Sequence, residues 1–534
     1  MKNKIIFLIL FLVSLLSSWR LFRPGYPSMQ DDIQVFRLQQ FDQCLKDGQI
    51  PCRYIADGGS GYGYPLYNFY SPLPYSVAET FHLLGFSYID SIKISFIIPA
   101  FIRTFSMYLL ASTFFGTSGG VLSAALYVLA PYQAVNSFVR GAISENWALA
   151  ILPLIFWSLY RQKNKISLIA LSSLLLSHNL TLVYALPLLA LFSLITHKFK
   201  YFFRSLLWSL ALSAFFLIPA FFEKNLTTVN TMTQGYFHYI IHFTTLKELF
   251  FSNFWGYSAS MWGPIDGLSF NIGLFQWLLP SVFSLYLLFH KNSKHRFLLL
   301  TFFALSLFFL FLTHSKSTLI WQAISYLPYF QFPWRFLGPV IFLFSFIGGG
   351  IVFLFPKRHS LLSALFLCLV VIAINYPYFR EDIWYPQLTD SAKLSRPEII
   401  RQSGAGLMDY WPKYSQSFPN TYAPSIPETI SGQSNSINFT KNSHQASGTI
   451  DILSSSATIN LPIVYFPEWK LWLDSQPSSY KLDPNLGLIQ LNLPSGLHHY
   501  ELKFTNTPLR IFANIISSTA LLGLIILIIR EKHS

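Results

Sequence analysis

Charged residues are scarce in this chain of 534 residues. Asp, Glu, Lys and Arg make up only 11% of it, against about a quarter in soluble domains, whereas 52% of the residues are hydrophobic. This scarcity excludes a soluble globular protein. The mean hydropathy of +0.43 instead predicts an α-helical polytopic membrane protein.

Two further absences narrow the function. The sequence contains no G-x-x-x-x-G-K-[ST] motif, which argues against ATP-driven chemistry. The net charge of +14 lies in short basic clusters beside apolar runs, such as residues 161–165 and 197–204, and not in a nucleic-acid-binding surface. This is the distribution that the positive-inside rule gives to cytoplasmic segments, so no nucleic acid partner is expected.

Apolar runs predict about twelve membrane spans, the first near residues 5–19 and the last near 510–529. Counting residues 166–196 as two spans places every basic cluster on the cytoplasmic side. Both termini are then cytoplasmic, and the protein lies in the cell membrane. The first loop and the late polar region are extracytoplasmic.

The composition changes along the chain and predicts four regions. Segments such as GTIDI, LIQLNL and HYELKF alternate apolar and polar residues, which is typical of half-buried strands. They predict a small extracytoplasmic β-sandwich. The regions are a membrane domain (1–377) with its first outer loop (20–91), an outer, partly helical linker (378–424), the β-sandwich (425–507), and a final membrane helix with a cytoplasmic tail (508–534).

Cysteine is rare, with three residues in all. Cys368 lies in an apolar run and is expected to be an inert core residue. Cys44 and Cys52 share one polar loop and would pair if that loop faces an oxidising compartment. We expect free thiols, and the disulfide is the alternative.

Two adjacent acids follow the first span in SMQDDIQVFRLQQF, residues 28–41. Downstream, apolar residues at spacings of three and four predict a helix on the membrane surface: Val35, Leu38, Phe41 and Leu45. One interpretation is that the acids only cap this helix. The other is that Asp32 caps and Asp31, further from the helix, serves as a base.

A loop rich in Gly, Pro and Tyr occupies residues 57–75, DGGSGYGYPLYNFYSPLPY. It is either an aromatic belt at the membrane interface or a surface for sugars or isoprenoid chains. On the second interpretation the candidate binding residues are Asp57, Tyr62, Tyr64 and Tyr70.

Basic residues stand at the predicted outer ends of several spans. Arg140 and Glu145 stand on either side of Gly141 in VRGAISE. They form either an interhelical ion pair or a phosphate site in which the Arg140 guanidinium donates two parallel N–H bonds. Arg335, in QFPWR, is a Trp-Arg membrane anchor or a second phosphate contact. His178, in LSHNLT, is a buried structural His or a proton donor.

The predicted topology places all these motifs on one membrane face. Two or three carboxylates, two or three Arg and His side chains and an aromatic loop would then meet there. Such a set is consistent with a site for an anionic, lipid-linked group.

Five ordered motifs resemble a bacterial family of membrane proteins described as 6-pyruvoyl-tetrahydropterin synthase-related. They are QDDIQVFRLQQFDQCLKDGQIPCR, GYGYPLYNFYSPLPY, VRGAISENWA, QFPWRFL and FTNTPLR. A pterin synthase needs a zinc site of clustered histidines, which the sequence lacks. The architecture is instead similar to GT-C glycosyltransferases. Gln30 stands where the family pattern has a His before the two acids.

The GT-C resemblance implies transfer of a sugar from a polyprenyl-phosphate donor to an envelope glycan or lipid acceptor on the outer face. Asp31 or Asp32 would be the general base, and Arg140, with Arg335 or His178, would hold the leaving phosphate. The sequence establishes no cofactor, and a divalent cation is the candidate. A divalent cation would fit only if Asp31, Asp32 and Asp57 converge.

Two other classes of function remain as alternatives. The chain would be a transporter or flippase of lipid-linked substrates, or a non-catalytic scaffold whose β-domain binds envelope polymers. A transporter of this kind usually places polar residues near the midplane in broken helices of two related halves, and neither feature is visible.

The topology gives a first testable prediction. Cysteine introduced at Ser60 or at Ser478 should react with a membrane-impermeant thiol reagent added outside intact cells, because both loops are predicted to be extracytoplasmic. Labelling from opposite sides would contradict the span count and the shared face.

Overall fold

The computed structural model describes residues 2–261, 267–291 and 295–533. Parts of the predicted regions 1–377 and 508–534 lie outside these ranges. The chain forms two compact units: the first comprises Met1–Asp32, Ile89–Leu210 and Thr233–Leu388, and the second comprises Ile33–Tyr88, Ala211–Met232 and Thr389–Ser534. The domain boundaries predicted from the sequence stay predictions.

The first unit is helical because its sequence consists of long apolar runs. Its helices of eight or more residues, including two that extend into the second unit, are Lys2–Ser18, Tyr88–Val128, Ile143–Tyr160, Asn164–Leu175, Asn179–Ile195, Phe199–Leu212, Leu274–Phe289, Arg296–Leu312, Leu337–Gly348 and Ser360–Asn375. Two short strands, β1 (Tyr26–Pro27) and β2 (Trp384–Tyr385), pair antiparallel in the same unit.

The helices identify a membrane protein. Six are long and apolar enough to cross a bilayer, or seven if the bent pair Phe199–Leu212 and Ala214–Phe222 is one span, and four shorter apolar helices accompany them among the described residues. The predicted number of twelve spans and the cytoplasmic position of both termini therefore stay predictions.

Two helix breaks match their local sequence. The helix Tyr88–Val128 is interrupted at Gly116, whose φ of 71° suits a residue without a Cβ. Asn164–Leu175 and Asn179–Ile195 are separate helices, as two spans within residues 166–196 would require, but both are shorter than the candidate spans, so the two-span count stays a prediction.

The second unit contains the late β-structure. Its strands are β3 (Glu428–Ser431), β4 (Ser434–Lys441), β5 (Gln445–Val464), β6 (Trp469–Leu473), β7 (Gln476–Ser478), β8 (Lys481–Leu482) and β9 (Leu488–Phe504). All pairs are antiparallel, in the order β3-β5-β9-β6-β7, with β4 on β5 and β8 on β9. The strands predicted from the alternating segments are confirmed, and the structure adds that they pair antiparallel.

The strands form one connected sheet, and its packing as a β-sandwich stays a prediction. Its long strands β5 and β9 pair along most of their length, with register shifts between Ile452 and Ser456 and between Asn460 and Val464. Such irregularities bend strands. Different partners then flank the two halves of β5, β4 on the first half and β3 on the second.

The helices of this unit with eight or more residues are Gln34–Lys46, Leu73–Leu83, Ala214–Phe222, Arg396–Ser403 and Pro508–His533. The predicted apolar positions Val35, Leu38 and Phe41 of the first are buried, but polar residues of the same helix are buried too, so burial is not confined to one stripe, and its place on the membrane surface stays a prediction. Cys44 and Cys52 form a disulfide, so the expectation of free thiols is wrong; the sequence separation alone did not show that their Cα atoms lie 5.7 Å apart. Cys368 is free and buried, as predicted.

A buried ionic network joins distant segments of the second unit. Arg510 Nε donates to Glu223 Oε2 at 3.0 Å, and Asn68 Nδ2 donates to the same oxygen at 2.7 Å. Arg53 reaches this group through Asn68 Oδ1 and also donates to Asn514. The FTNTPLR motif therefore contributes Arg510 to a structural network.

Two buried carboxylates face each other between the helices Gln34–Lys46 and Leu73–Leu83. Asp42 Oδ2 accepts from Lys46 Nζ at 2.7 Å and from the Tyr88 hydroxyl, and His82 Nε2 lies 3.9 Å away. Neither oxygen of Glu79 meets an N–H or O–H donor among the described residues, although the residue is only 3% exposed. Burial, and then the charge of Asp42, raises the pKa of Glu79 to about 7.

The raised pKa predicts a pH-dependent stability. A neutral Glu79 suits the folded state, so its contribution is fully present below its ordinary pKa of 4.5 and is lost as the pH rises through about 7. The melting temperature of the detergent-solubilised protein should fall by about 2–4 °C over this interval. Glu79→Gln, which cannot ionise, should reduce the fall.

Glu428→Gln is the control, because it removes the same charge from an exposed strand residue outside the Asp42–Glu79 pair. A Glu79→Gln melting profile that follows the wild-type and control profiles across pH 5–8 would contradict the raised pKa of Glu79.

Candidate functional site

The acidic turn after the first helix is held by main-chain bonds within the first unit. Ser28 N donates to Ile383 O at 2.8 Å, next to the β1–β2 pair. Gln30 N donates to Val139 O and Asp31 N to Arg140 O, both at 2.9 Å. These bonds place Asp31 beside the Arg140 main chain.

The two acids differ in exposure and neither occupies the cap position of the following helix. Asp31 is exposed and Asp32 half-buried. The helix begins at Gln34, and its N-cap residue is Ile33, whose side chain makes no capping bond. The assignment of Asp32 as the cap is therefore wrong, because the turn continues one residue further than the pattern indicated.

Gly141 allows the acidic turn to approach the chain after Arg140. Its φ is 68°, a left-handed value that favours glycine, and a Cβ here would clash with Met29 Sδ. Met29 immediately precedes Gln30 and the two acids. A larger residue at position 141 would therefore displace the acidic turn.

Arg140 follows a π-helical turn, Val135–Val139, and is only 7% exposed. Its Nη1 donates to Asn136 Oδ1 at 2.5 Å and to Glu145 Oε2 at 2.7 Å. Within the described part of the chain, Nε and Nη2 have no hydrogen-bond partner. One edge of the guanidinium thus remains available for a bidentate contact.

Glu145 completes the ion pair that the sequence suggested. Its Oε1 accepts from Tyr132 at 2.6 Å, so both carboxylate oxygens are bonded. Burial opposes the charge of Arg140, but the Glu145 carboxylate, with Tyr132 and Asp31, raises the pKa of Arg140 above its ordinary value. Arg140 is therefore a permanent cation.

Arg335 lies in the short helical turn Pro333–Phe336. Its Nη1 donates to Phe330 O at 2.7 Å and to Gln331 Oε1 at 3.0 Å. Its Nε is buried without a hydrogen-bond partner among the described residues. Asp31 acts electrostatically on both Arg335 and Arg140, so the three side chains share one neighbourhood.

His178 precedes the helix Asn179–Ile195, and its Nδ1 lies 2.8 Å from Thr181 Oγ1. Burial, partly opposed by Glu145, lowers the pKa of His178 to about 4. The ring is therefore neutral at pH 7 and supplies no fixed positive charge. Between Arg335 and His178, the geometry favours Arg335 as the second cation.

The remaining predicted residues belong to the second unit and have contacts of their own. The Tyr64 hydroxyl donates to Gly406 O and accepts from Tyr410 N, both at 2.7 Å, and Tyr70 receives the Arg37 guanidinium over its ring at 4.3 Å. Tyr62 is buried and accepts at its carbonyl from the Tyr54 hydroxyl. Their role in binding a sugar or lipid stays a prediction.

Asp57 also has a partner: Gln40 donates its amide to Asp57 Oδ2 at 2.8 Å, and Asp57 N donates back to the Gln40 amide oxygen at 2.9 Å. Across the described residues, no group of three or more His, Cys, Asp and Glu side chains is placed to hold a metal ion. The proposed convergence of Asp31, Asp32 and Asp57 on a divalent cation gains no support.

Sequence reasoning missed several residues that complete the site. Trp334 places its ring 4.6 Å from Arg140 Cζ, and Tyr132 and Asn136 bond the Arg140–Glu145 pair. Trp334 stands in the QFPWR motif, where the sequence indicates only a membrane anchor. Nothing in the sequence distinguishes Tyr132 from the other 28 tyrosines.

Comparison with known proteins gives limited information. No protein-family model matches the chain, so the pterin synthase-related label gains no support. A protein of Lactococcus lactis subsp. cremoris (strain MG1363), described as "Uncharacterized protein", is 28% identical over 238 residues, which is 40% of this chain and 39% of that one.

Among solved structures, the mycobacterial arabinofuranosyltransferase AftD is similar over 71% of this chain. The identity is 12% and the TM-score 0.43, and the chain spans only 28% of AftD. A similarity of this size does not establish a common fold.

The contact of Met29 with Gly141 gives a testable prediction. Gly141→Ala should destabilise the protein by about 1–3 kcal/mol, because the new methyl group overpacks against Met29 and the residue keeps a left-handed conformation. Thermal unfolding in detergent measures the effect.

Gly235→Ala is the matched control, since Gly235 has a φ of 56° but nothing within 4 Å of its would-be Cβ. Equal losses of stability in the two variants would mean that only the left-handed backbone conformation destabilises them and that the Met29 side chain moves aside without cost.

Proposed function

We propose that this protein is a membrane glycosyltransferase that moves a sugar from a polyprenyl-phosphate carrier to an envelope glycan or lipid on the extracytoplasmic face. The observation that carries this proposal is the combination of Arg140, Arg335 and Asp31. Two guanidinium groups each use Nη1 for protein contacts, and an exposed carboxylate acts electrostatically on both.

The two cations would bind the phosphate of the donor. The Nε–Nη2 edge of a guanidinium matches two phosphate oxygens. As the bond between the anomeric carbon and the phosphate oxygen breaks, its electron pair moves to that oxygen. Arg140 and Arg335 would stabilise the negative charge that grows there.

Asp31 would act as the general base. It accepts the proton of the acceptor hydroxyl, whose oxygen forms the new bond to the anomeric carbon from the face opposite the leaving phosphate. This displacement inverts the anomeric centre. The exposure of Asp31 supports this assignment over Asp32, because a hydroxyl acceptor must reach the base.

The disulfide supports an extracytoplasmic site. Cys44 and Cys52 are bonded, and such bonds persist in oxidising compartments. No candidate span among the described residues falls between Asp31 and Cys52, which supports placing both on the same side of the membrane. That side is the extracytoplasmic one if the disulfide forms in the cell.

Replacing the proposed base tests the function. Asp31→Asn should insert and melt like the wild type but transfer sugar about 10²- to 10⁴-fold more slowly, since only the proton acceptor is lost. The rate is measured in proteoliposomes with a panel of polyprenyl-phosphate sugars, chosen from glycans that a deletion strain loses.

Asp32→Asn is the matched control and should retain near wild-type transfer at equal membrane levels. If Asp32→Asn is the inactive variant, the roles of the two acids are exchanged. Full transfer by both variants would show that neither acid is the base, whereas no transfer by the wild type with any donor of the panel would favour a transporter or a scaffold.

A further inference from the structure

A chain of hydrogen bonds supports the aromatic ring beneath Arg140. The Trp334 ring faces the guanidinium, and its Nε1 donates to Ser260 Oγ at 3.1 Å. Ser260 Oγ lies 2.7 Å from His242 Nδ1, and His242 Nε2 lies 2.5 Å from Tyr236 O. Trp334, Ser260 and His242 are all buried.

The last acceptor in this series of hydrogen bonds, Tyr236 O, determines the direction of every bond in the series. A carbonyl oxygen can only accept, so His242 carries its proton on Nε2. Burial lowers the pKa of His242, which keeps the ring neutral and leaves Nδ1 as an acceptor. Ser260 therefore donates its hydroxyl proton to His242 and accepts from Trp334.

The indole is thus held at its polar atom, and its face is presented to Arg140. A Trp ring is the aromatic face that attracts a guanidinium most strongly. The hydrogen bonds to Asn136 and Glu145 both use Nη1 of Arg140. They fix the position of this nitrogen but not the tilt of the guanidinium plane. The ring restricts the plane of the guanidinium.

We propose that Trp334, held by Ser260 and His242, is a positioning residue that orients the free Nε–Nη2 edge of Arg140 toward the donor phosphate. The inference rests on the proposed function and concerns the same site. Trp334 touches no reacting atom; it acts through Arg140.

Two variants remove the support without removing Arg140. Trp334→Phe keeps a ring but loses the N–H, and Ser260→Ala removes the bridging hydroxyl with little change in volume. Each should weaken binding of undecaprenyl phosphate about three- to tenfold, as expected for the partial loss of a buried cation–π contact. Native mass spectrometry of the protein in nanodiscs measures this binding without any sugar transfer.

Trp321→Phe is the matched control. Trp321 is fully buried in the same unit and donates from Nε1 to Leu312 O at 3.0 Å, whereas the rings that face Arg140 and Arg335 are those of Trp334 and Phe332. This variant should lose the same type of bond and leave undecaprenyl phosphate binding unchanged. In transfer assays, Trp334→Phe should raise the KM for the donor and leave the KM for the acceptor unchanged.

A double-mutant cycle separates positioning from a general structural effect. If Trp334 acts through Arg140, Trp334→Phe should have little further effect on binding in an Arg140→Lys background. Additive losses, or wild-type binding by both Trp334→Phe and Ser260→Ala, would overturn the inference. A wild-type protein that binds no undecaprenyl phosphate would instead overturn the proposed function, and this inference with it.

Discussion

The ion pair between Arg140 and Glu145 is the interaction on which the rest of the candidate site depends. Both residues are buried, and a buried charge without its partner costs about 3–5 kcal/mol. Here Tyr132 and Asn136 complete the hydrogen bonds that the pair needs. The Arg140 carbonyl also receives the N–H of Asp31, so one residue fixes the cation and the neighbouring acid together.

Local patterns in the sequence predicted the elements of the fold well. The alternation in GTIDI and LIQLNL predicted β5 and β9, and the spacing of Val35, Leu38 and Phe41 predicted a helix, but that helix is buried on more than its apolar stripe. The same patterns do not determine how long each strand is or which strands pair with it. The polar run SSSAT in β5 interrupts the alternation, yet the strand continues through it, and one bent sheet results.

The candidate site was predictable only as far as topology reaches. Span counting placed Arg140, Glu145, His178 and Arg335 on one face, and the first unit does bring these side chains into electrostatic contact. The contact of Trp334 with Ser260 joins residues 74 positions apart, and Ser260 lies in a stretch without periodicity. The disulfide and the Ile33 cap depend on backbone geometry of a few ångströms, which residue types alone do not determine.

The connection between the sheet and the last helix limits where the β-domain can reach. Strand β9 ends at Phe504 and the helix begins at Pro508, so only residues 505–507 join them, a stretch of about 10 Å when extended. Thr505 N donates to Glu468 O and Thr507 Oγ1 donates to Glu223 Oε1, so this connection cannot rotate freely. The sheet and the helix Pro508–His533 therefore move together, so a tilt of the helix is also a tilt of the sheet.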